Sequence, residues 1–343
     1  MITSTLPKLF NHESLSQTEA EAVMNQIMSG DATPVQIGAY LVALRMKGET
    51  IDEITGSARA MRAHAVRVTL SDSTGELIDI VGTGGDGSHS FNISTTAALV
   101  IAASGHRVAK HGNRAASSKC GSADVLEAAG VSLELTPAQV ATCIEDIGIG
   151  FMFAPHFHPA MKHAIGPRRE LNQRTIFNIL GPLTNPAGAT HQLTGVYDPG
   201  LTEPLARVLG ELGGRAAMVI HSHDGLDELT TTGPNRISHL RPDGSVNTFE
   251  LHPQELGLQN TKQEPMTGGS VERNLEMMLS LLSGKTGGVR TDTVLLNAAA
   301  AMATEDGDIA TALGEARAAL ESGTALRKLE ELVETSQKMA AQR

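Results

Sequence analysis

The chain reads as an α/β protein in two parts: a small helical domain, then a larger α/β domain with a mostly parallel sheet. Three observations predict this. Residues 16–65 carry helix signals and no strand-like alternation. From residue 76, short apolar runs alternate with loops rich in Gly, Ser, Thr or Asn and with helical runs of Ala, Leu and Val, the pattern of strands joined by crossover helices. The stretch 269–341 is mostly helical, with breaks near Gly284–Gly288 and Asp306–Asp308. The boundaries implied are 1–70 for the helical domain and 71–343 for the α/β domain, with part of 151–185, where the strand pattern lapses, joining the helical part.

In order, QTEAEAVMNQIMSG closes at Gly30, and TPVQIGAYLVALRMKG opens on Thr33-Pro34 and closes at Gly48. Thr33 is placed to cap a helix whose first residue is a proline, which has no N–H to leave unsatisfied. TIDEITGSARAMRAHA gives a third helix. Beyond them the expected strands are 77–81, 106–109, 131–134, 216–220 and 237–240, and the expected helices include 94–104, 122–129 and 201–212. There is no internal repeat.

Composition narrows the function. At 343 residues, 41% hydrophobic and 19% charged, this is an ordinary globular composition. A formal charge of −11 argues against nucleic acid or an anionic membrane as partner, since either needs a basic face. Cys120 and Cys143 are the two cysteines and offer no disulfide framework. With no apolar signal core in MITSTLPKLFNHE and no spanning run, a reducing cytoplasm is the expected compartment.

Two phosphate-type loops follow each other between residues 77 and 130. LIDIVGTGGDGSHSFNISTTAALVIAASG runs from a strand into a turn at Gly82, and HRVAKHGNRAASSKCGSADVLEAAG repeats the plan from His106. Each loop offers backbone N–H groups and hydroxyls at a helix start, which suits a phosphate. The second adds Lys110 and Arg114, so a substrate with more than one phosphate is expected. Gly82, Gly84 and Gly87 satisfy G-x-G-x-x-G, which raises a dinucleotide alternative. That motif expects an acidic residue about 20 positions on, and none occurs between Asp86 and Asp124. No Lys-Ser/Thr pair follows the glycines as a Walker loop requires.

Asp224-Gly225-Leu226-Asp227-Glu228 is a short acidic cluster. It reads either as an exposed turn or, beside a polyphosphate, as an Mg²⁺ anchor, because magnesium is held by one or two carboxylates, waters and phosphate oxygens. His156-x-His158 and His221-x-His223 read better as structural histidines than as metal pairs, since H-E-x-x-H and cysteine clusters are absent. No G-x-S-x-G elbow is present and no acid–base pair stands out, so no catalytic side chain is assigned.

GTGGDG with FNIST, KHGNRAASSKCGSADVLEAAG, RTIFNILGPLTNPA and DGLDELT, in this order, resemble the anthranilate phosphoribosyltransferase family of tryptophan biosynthesis. The resemblance spans nearly the whole chain. It implies a nucleoside-phosphorylase-like fold, a homodimer formed through the helical lobes, and transfer of a phosphoribosyl group from phosphoribosyl pyrophosphate (PRPP) to anthranilate with Mg²⁺ as cofactor. The PRPP residues it implies are Gly82, Gly85, Asp86, Ser90, Asn92, Ile93, Ser94 and Thr95 in the first loop. In the second they are Lys110, His111, Gly112, Asn113, Arg114, Ala115, Ala116, Ser117, Ser118 and Ser122. Gly82, Asn113 and Arg168 match the anthranilate positions, with His111 and Pro182 nearby, and Ser94, Asp227 and Glu228 match the Mg²⁺ positions. Ser90 stands where many members have Thr and keeps the hydroxyl, while Gly166-Pro167 replaces a more flexible, apolar approach to Arg168. A pyrimidine nucleoside phosphorylase is the enzyme alternative, and a relative that has lost catalysis and binds nucleic acid is the non-enzyme one.

Overall fold

The computed structural model describes residues 1–71, 75–115, 119–258 and 266–342. Its first helices are α1 (Ile2–Phe10), α2 (Gln17–Met28), α3 (Pro34–Lys47) and α4 (Ile51–Ala63). Helices α2, α3 and α4 open with reciprocal caps, Ser16 with Glu19, Thr33 with Gln36, and Thr50 with Glu53. Each cap satisfies donors that a helix start leaves open. Helix α1 was not expected; it tolerates Pro7 and is held by burial of Ile2, Thr5 and Leu9.

The α/β part follows as β1 (Ile78–Gly82), α5 (Ile93–Ala103), β2 (Val108–Gly112), α6 (Ser122–Ala128), α7 (Pro137–Ile147), β3 (Ile149–Phe153) and α8 (Ala154–Phe157). Next come α9 (Lys162–Leu171), α10 (Phe177–Leu180), β4 (His191–Gly195), α11 (Thr202–Glu211), β5 (Ala216–Ser222), β6 (Asn235–Leu240) and β7 (Val246–Leu251). The C-terminal helices are α12 (Val271–Leu282), α13 (Val289–Met302), α14 (Ile309–Glu321) and α15 (Thr324–Ala340). Among the described residues the strands form one sheet in the order β3-β2-β1-β4-β5-β6-β7. The pairs from β3 through β5 are parallel, and β6 and β7 add antiparallel edges. Successive strands run outward from β1 to β3, and β4 then returns to the other side of β1. The topological switch point therefore lies between β1 and β4, where open α/β sheets bind ligands beyond their strand ends.

Alternation along each strand divides the core. Ile78, Ile80, Leu193, Met218 and Ile220 face α5, which is buried all round, together with α12, α13, α14 and α15. Ala217, Val219 and Leu240 face the other way and share a cluster with α11 and with residues of α2, α3 and α4. Ala164, Ile176, Phe177, Ile179, Leu180 and Leu183 join that second cluster. The stretch after β3 thus packs into the helical lobe.

The expected strand at 131–134 does not form: Val131, Leu133 and Leu135 are buried in a loop between α6 and α7. Burial of alternate residues in a tight connection mimics strand periodicity. Three strands were not expected. β3 is an all-buried IGFMF run with no polar alternation, β4 carries buried His191, Gln192 and Thr194, and β7 is an edge. His191 is buried through Nε2 to Glu305 Oε2 at 2.9 Å, and Gln192 Nε2 donates to Pro182 O. Partners distant in sequence let polar residues lie inside a central strand.

A buried ion pair organises the helical lobe. Glu53 Oε2 lies 2.9 Å from Lys47 Nζ and accepts from Thr50 N, and Glu53 Oε1 accepts from Leu15 N. The two side chains are 5% and 0% exposed, Lys47 and Glu53 respectively. Removing one member of such a pair leaves the other charge buried and unpaired. Glu53→Gln is expected to lower stability by about 3–5 kcal/mol in chemical denaturation, whereas exposed Lys8→Ala, which loses a surface pair to Glu19, should cost less than about 1 kcal/mol.

Candidate functional site

The switch point is built by a close approach of backbones. Gly82 ends β1 and is in register with Gly195 at the end of β4. The chain after β5 crosses directly above both. A Cβ at Gly195 would stand 1.6 Å from Asp227 O, and one at Gly82 would stand 2.4 Å from Asp227 Oδ2. Only glycine lets the acidic segment lie on the strand ends. The crossing is pinned from behind by Asn297 of α13, which accepts from Leu229 N at 3.0 Å and donates to Leu229 O at 2.8 Å.

The first loop wraps this crossing. Gly84 N donates to Asp227 Oδ2 at 2.6 Å, and Ser94 N, in the first turn of α5, donates to Glu228 Oε1 at 3.1 Å. Asp86 receives Ser88 N and Ser88 Oγ, and its Oδ2 lies 3.4 Å from Asp227 N. Ser90 pairs with Thr267 in an isolated bridge, and Asn92 Nδ2 donates to Cys120 O. Ile93 and Thr95 are buried beneath the turn. The structure thus gathers Gly82, Asp86, Ser94, Asp227 and Glu228 at one point.

The acidic cluster divides in two. Asp224 is exposed and accepts from the hydroxyls of Thr230 and Thr232, closing its own loop. Asp227 and Glu228 are buried, not exposed in a polar turn. Burial, then the charge of Asp86, raises the pKa of Asp227; burial, then the charge of Asp227, raises that of Glu228. Lys110 opposes the second shift. Its Nζ donates to Ile80 O at 2.5 Å, and burial lowers its pKa against the attraction of Asp79 and Glu228. Asp79 itself is wholly buried and pushed up to about 6, first by burial. Its Oδ1 accepts from His111 N at 3.4 Å, and among the described residues its Oδ2 accepts no hydrogen bond of good geometry, with the Asn185 side chain nearby.

Three carboxyl groups are thus buried with one ammonium, which attracts Asp79 and Glu228 while Asp227 is left beside Asp86, and a divalent cation would offset that crowding of acids. Among the described residues no group of three or more His, Cys, Asp and Glu is placed to hold a metal alone. Two carboxylates needing further oxygen ligands from a phosphate fit magnesium's habit. The donor set fits the ion.

The second loop forms a separate turn. Ser122 Oγ and Ala123 N both donate to Asn113 O, and a Cβ at Gly112 would collide with Ser122 Oγ at 2.1 Å. Ala115 N donates to Asp124 Oδ2. Arg114 is exposed and forks onto Glu127, with Nη1 also 3.1 Å from Asp124 Oδ1. Its charge is therefore answered within the turn. Ala116, Ser117 and Ser118 lie outside the described residues.

Arg168 stands in the last turn of α9, 5.0 Å over the Phe177 ring. Burial lowers its pKa, and no ion pair among the described residues reaches it. No hydrogen bond or ion pair there joins it to Gly82 or Asn113. The α10 segment and the following Gly181-Pro182 link it instead to His111, whose pKa is lowered first by burial, with the Gly181 backbone opposing. His111 and His158 are buried with ring centroids 5.1 Å apart. His221 Nδ1 meets Val196 O at 2.7 Å, so neither histidine pair forms a metal site among the described residues. Sequence reasoning passed over Asp79 and Asn297. Their signal was a lone polar residue in an apolar element, Asp in LIDIV and Asn in VLLNAAAAM.

These elements define a two-domain glycosyl transferase. The helical bundle domain of the glycosyl transferase family matches residues 3–65, and its a/b domain matches 74–326. An anthranilate phosphoribosyltransferase of Thioalkalivibrio sulfidiphilus is 54% identical over 93% of this chain and 94% of its own. The crystal structure of the Thermus thermophilus enzyme of that name is 43% identical, with a TM-score of 0.91 over 97% of this chain and 99% of that one. The Saccharomyces cerevisiae enzyme in complex with PRPP and Mg is 28% identical, with a TM-score of 0.89 over 98% of both. The chain belongs to the anthranilate phosphoribosyltransferase family.

The buried imidazole pair gives a pH prediction. Burial pulls His111 to about 3 and His158 to about 4, below the 6.5 of a free histidine. Between pH 6.5 and 4 the unfolded chain therefore binds more protons, so these rings make stability fall as pH falls through that window. His158→Asn should flatten the fall in Tm between pH 6.5 and 4 relative to the parent protein. An unchanged slope in thermal melts would remove the pair as its cause.

Proposed function

We propose that this chain transfers the phosphoribosyl group of PRPP to anthranilate, giving N-(5-phosphoribosyl)anthranilate and pyrophosphate in tryptophan biosynthesis. The observation that carries the reading is the crossing of Asp227-Glu228 over Gly82 and Gly195, with the first loop's N–H groups turned onto it. It supplies a cation anchor and a phosphate cradle at one switch point.

Gly82, Gly85, Asp86, Ser90, Asn92, Ile93, Ser94 and Thr95 would hold PRPP on the first loop. Lys110 through Ala115, with Ser122, would hold it on the second. Ser94, Asp227 and Glu228 would hold Mg²⁺, which when bound supplies charge stabilisation to the departing pyrophosphate. Lys110 is buried with its Nζ on Ile80 O, so of these residues it would act on PRPP through its charge rather than through a hydrogen bond. Gly82, Asn113 and Arg168 would receive anthranilate. A desolvated guanidinium with no carboxylate of its own suits the carboxylate of that substrate, bound through two parallel hydrogen bonds.

The chemistry asks little of acid–base groups. The neutral amine nitrogen forms a bond to the anomeric carbon as the carbon–oxygen bond to pyrophosphate breaks. The ammonium so formed loses its proton to water or to pyrophosphate. The protein's part is orientation and electrostatic preorganisation.

Two further readings belong here. Residues 1–70, with part of 151–185, act as the helical domain against 71–343, supported by the hydrophobic cluster they share. A second copy of the chain covers the helical lobe, where Val35, Val42 and Met46 line one side of α3 and are 81%, 41% and 74% exposed. Among the described residues no helix is long and apolar enough to cross a membrane, and no disulfide joins Cys120 and Cys143; we place the protein in the cytoplasm.

Purified protein should consume anthranilate only when PRPP and Mg²⁺ are both present, releasing pyrophosphate. Consumption without either would overturn the reading. Arg168→Ala should raise KM for anthranilate about tenfold or more, as loss of a charged hydrogen bond implies, with a smaller change for PRPP. Asp227→Asn with Glu228→Gln should remove most Mg²⁺-dependent activity yet keep or raise Tm, because two buried carboxylates lose their desolvation penalty. Full activity across an Mg²⁺ titration would exclude the pair as metal ligands.

A further inference from the structure

We propose that Arg174 is a positioning residue for PRPP binding: it latches the first glycine-rich loop from the helical side of the cleft. The proposal rests on the reading of residues 82–95 as the polyphosphate loop. Arg174 belongs to neither the phosphate loops nor the anthranilate positions. It lies between Asn172, the left-handed residue that ends α9, and α10. Its Nη2 donates to the carbonyl of Gly85, at the tip of the first loop.

The guanidinium lies over Tyr197, with its central carbon 4.3 Å from the ring centroid. A cation over an aromatic face is held there by the ring quadrupole. Tyr197 in turn is fixed on both sides. Its ring packs against the hydrophobic cluster of the helical lobe, and its N–H donates to Thr83 Oγ1 at 3.2 Å. Thr83 N donates to Gly195 O at 2.9 Å. The start of the loop is thus fastened to β4, and its tip to Arg174.

No ion pair among the described residues engages Arg174. Its partners are a backbone carbonyl and a ring, an unusual use of an exposed cation if the only gain were stability. The carbonyl it holds belongs to the loop whose N–H groups must converge on a phosphate. Holding the Gly85 carbonyl fixes the turn in which Gly84 N–H meets Asp227 Oδ2, and the guanidinium adds positive potential at the loop's rim. Holding the loop in that shape before PRPP arrives reduces the ordering that binding would otherwise require.

The test uses the full chain with Arg174→Ala, Arg174→Lys, Tyr197→Phe, Tyr197→Ala and the Arg174→Ala/Tyr197→Ala pair. Arg174→Ala should raise KM for PRPP about tenfold, the scale of a lost charged hydrogen bond, and leave Tm and the KM for anthranilate unchanged. Lys should recover part of the loss, since it keeps a donor without the flat stack. Tyr197→Phe should match the parent, and the double variant should be no worse than the worse single one, because the two side chains act as one unit. Unchanged KM for PRPP, additive losses, or equal rises in both KM values with a lower Tm would overturn the latch. Hydrogen exchange of residues 82–92 in ligand-free protein reads the same device without catalysis: faster exchange in Arg174→Ala supports it and unchanged exchange overturns it. A parent protein that transfers nothing would sink the functional reading alone.

Discussion

The site depends on one backbone crossing. The segment after β5 lies on the ends of β1 and β4 so closely that any side chain at Gly82 or Gly195 would occupy the place of Asp227. That contact brings the carboxylates of Asp227 and Glu228 to the switch point and within reach of the amides of Gly84 and Ser94. The sheet supplies the platform, and the Asn297 side chain holds the crossing down through both polar groups of Leu229. Because Asn297 comes from α13, the C-terminal helices serve the site as well as the core.

Charge is the second constraint. Asp79, Asp227 and Glu228 are buried around a single buried lysine, Lys110. Burial opposes ionisation at all four groups. Such a layer is tolerable because the charges face one another and because a ligand cation would complete the balance. On the proposed function, this local cost is what would let a metal and a polyphosphate be recognised together.

The helical lobe contributes the other wall. The stretch from α9 through Pro182 packs its apolar residues into that lobe, Arg168 lies over Phe177 of the same cluster, and Arg174 reaches across to the Gly85 carbonyl of the first loop. The hydrophobic cluster that unites α2, α3 and α4 thus also carries Tyr197, on which Arg174 rests as it meets the first glycine-rich loop.

Local sequence determined much of this. The Thr33 cap, the Gly-rich turns and the hydroxyl-rich helix starts are short-range features, and they were legible because each answers the needs of a few neighbouring backbone groups. What reading by period could not reach was decided by distant partners. β4 holds His191, Gln192 and Thr194 inside the sheet because Glu305 and Pro182 meet the first two. β3 lost its signal because both faces are covered, and 131–134 mimicked a strand because a tight connection buried alternate residues. Asp227 and Asp224 look alike in DGLDELT, yet one is buried on glycine and the other closes an exposed loop. Arg174 carried no sequence signal at all, since a carbonyl 89 residues away and a ring 23 residues ahead give it its place. Sequence alone determined the two-part α/β plan, the helices of residues 16–65 and much of the strand–loop–helix alternation. The tertiary fold decided which charges are enclosed and which residues meet, because burial and contact across the chain are properties of the packed sheet and lobes rather than of any local run.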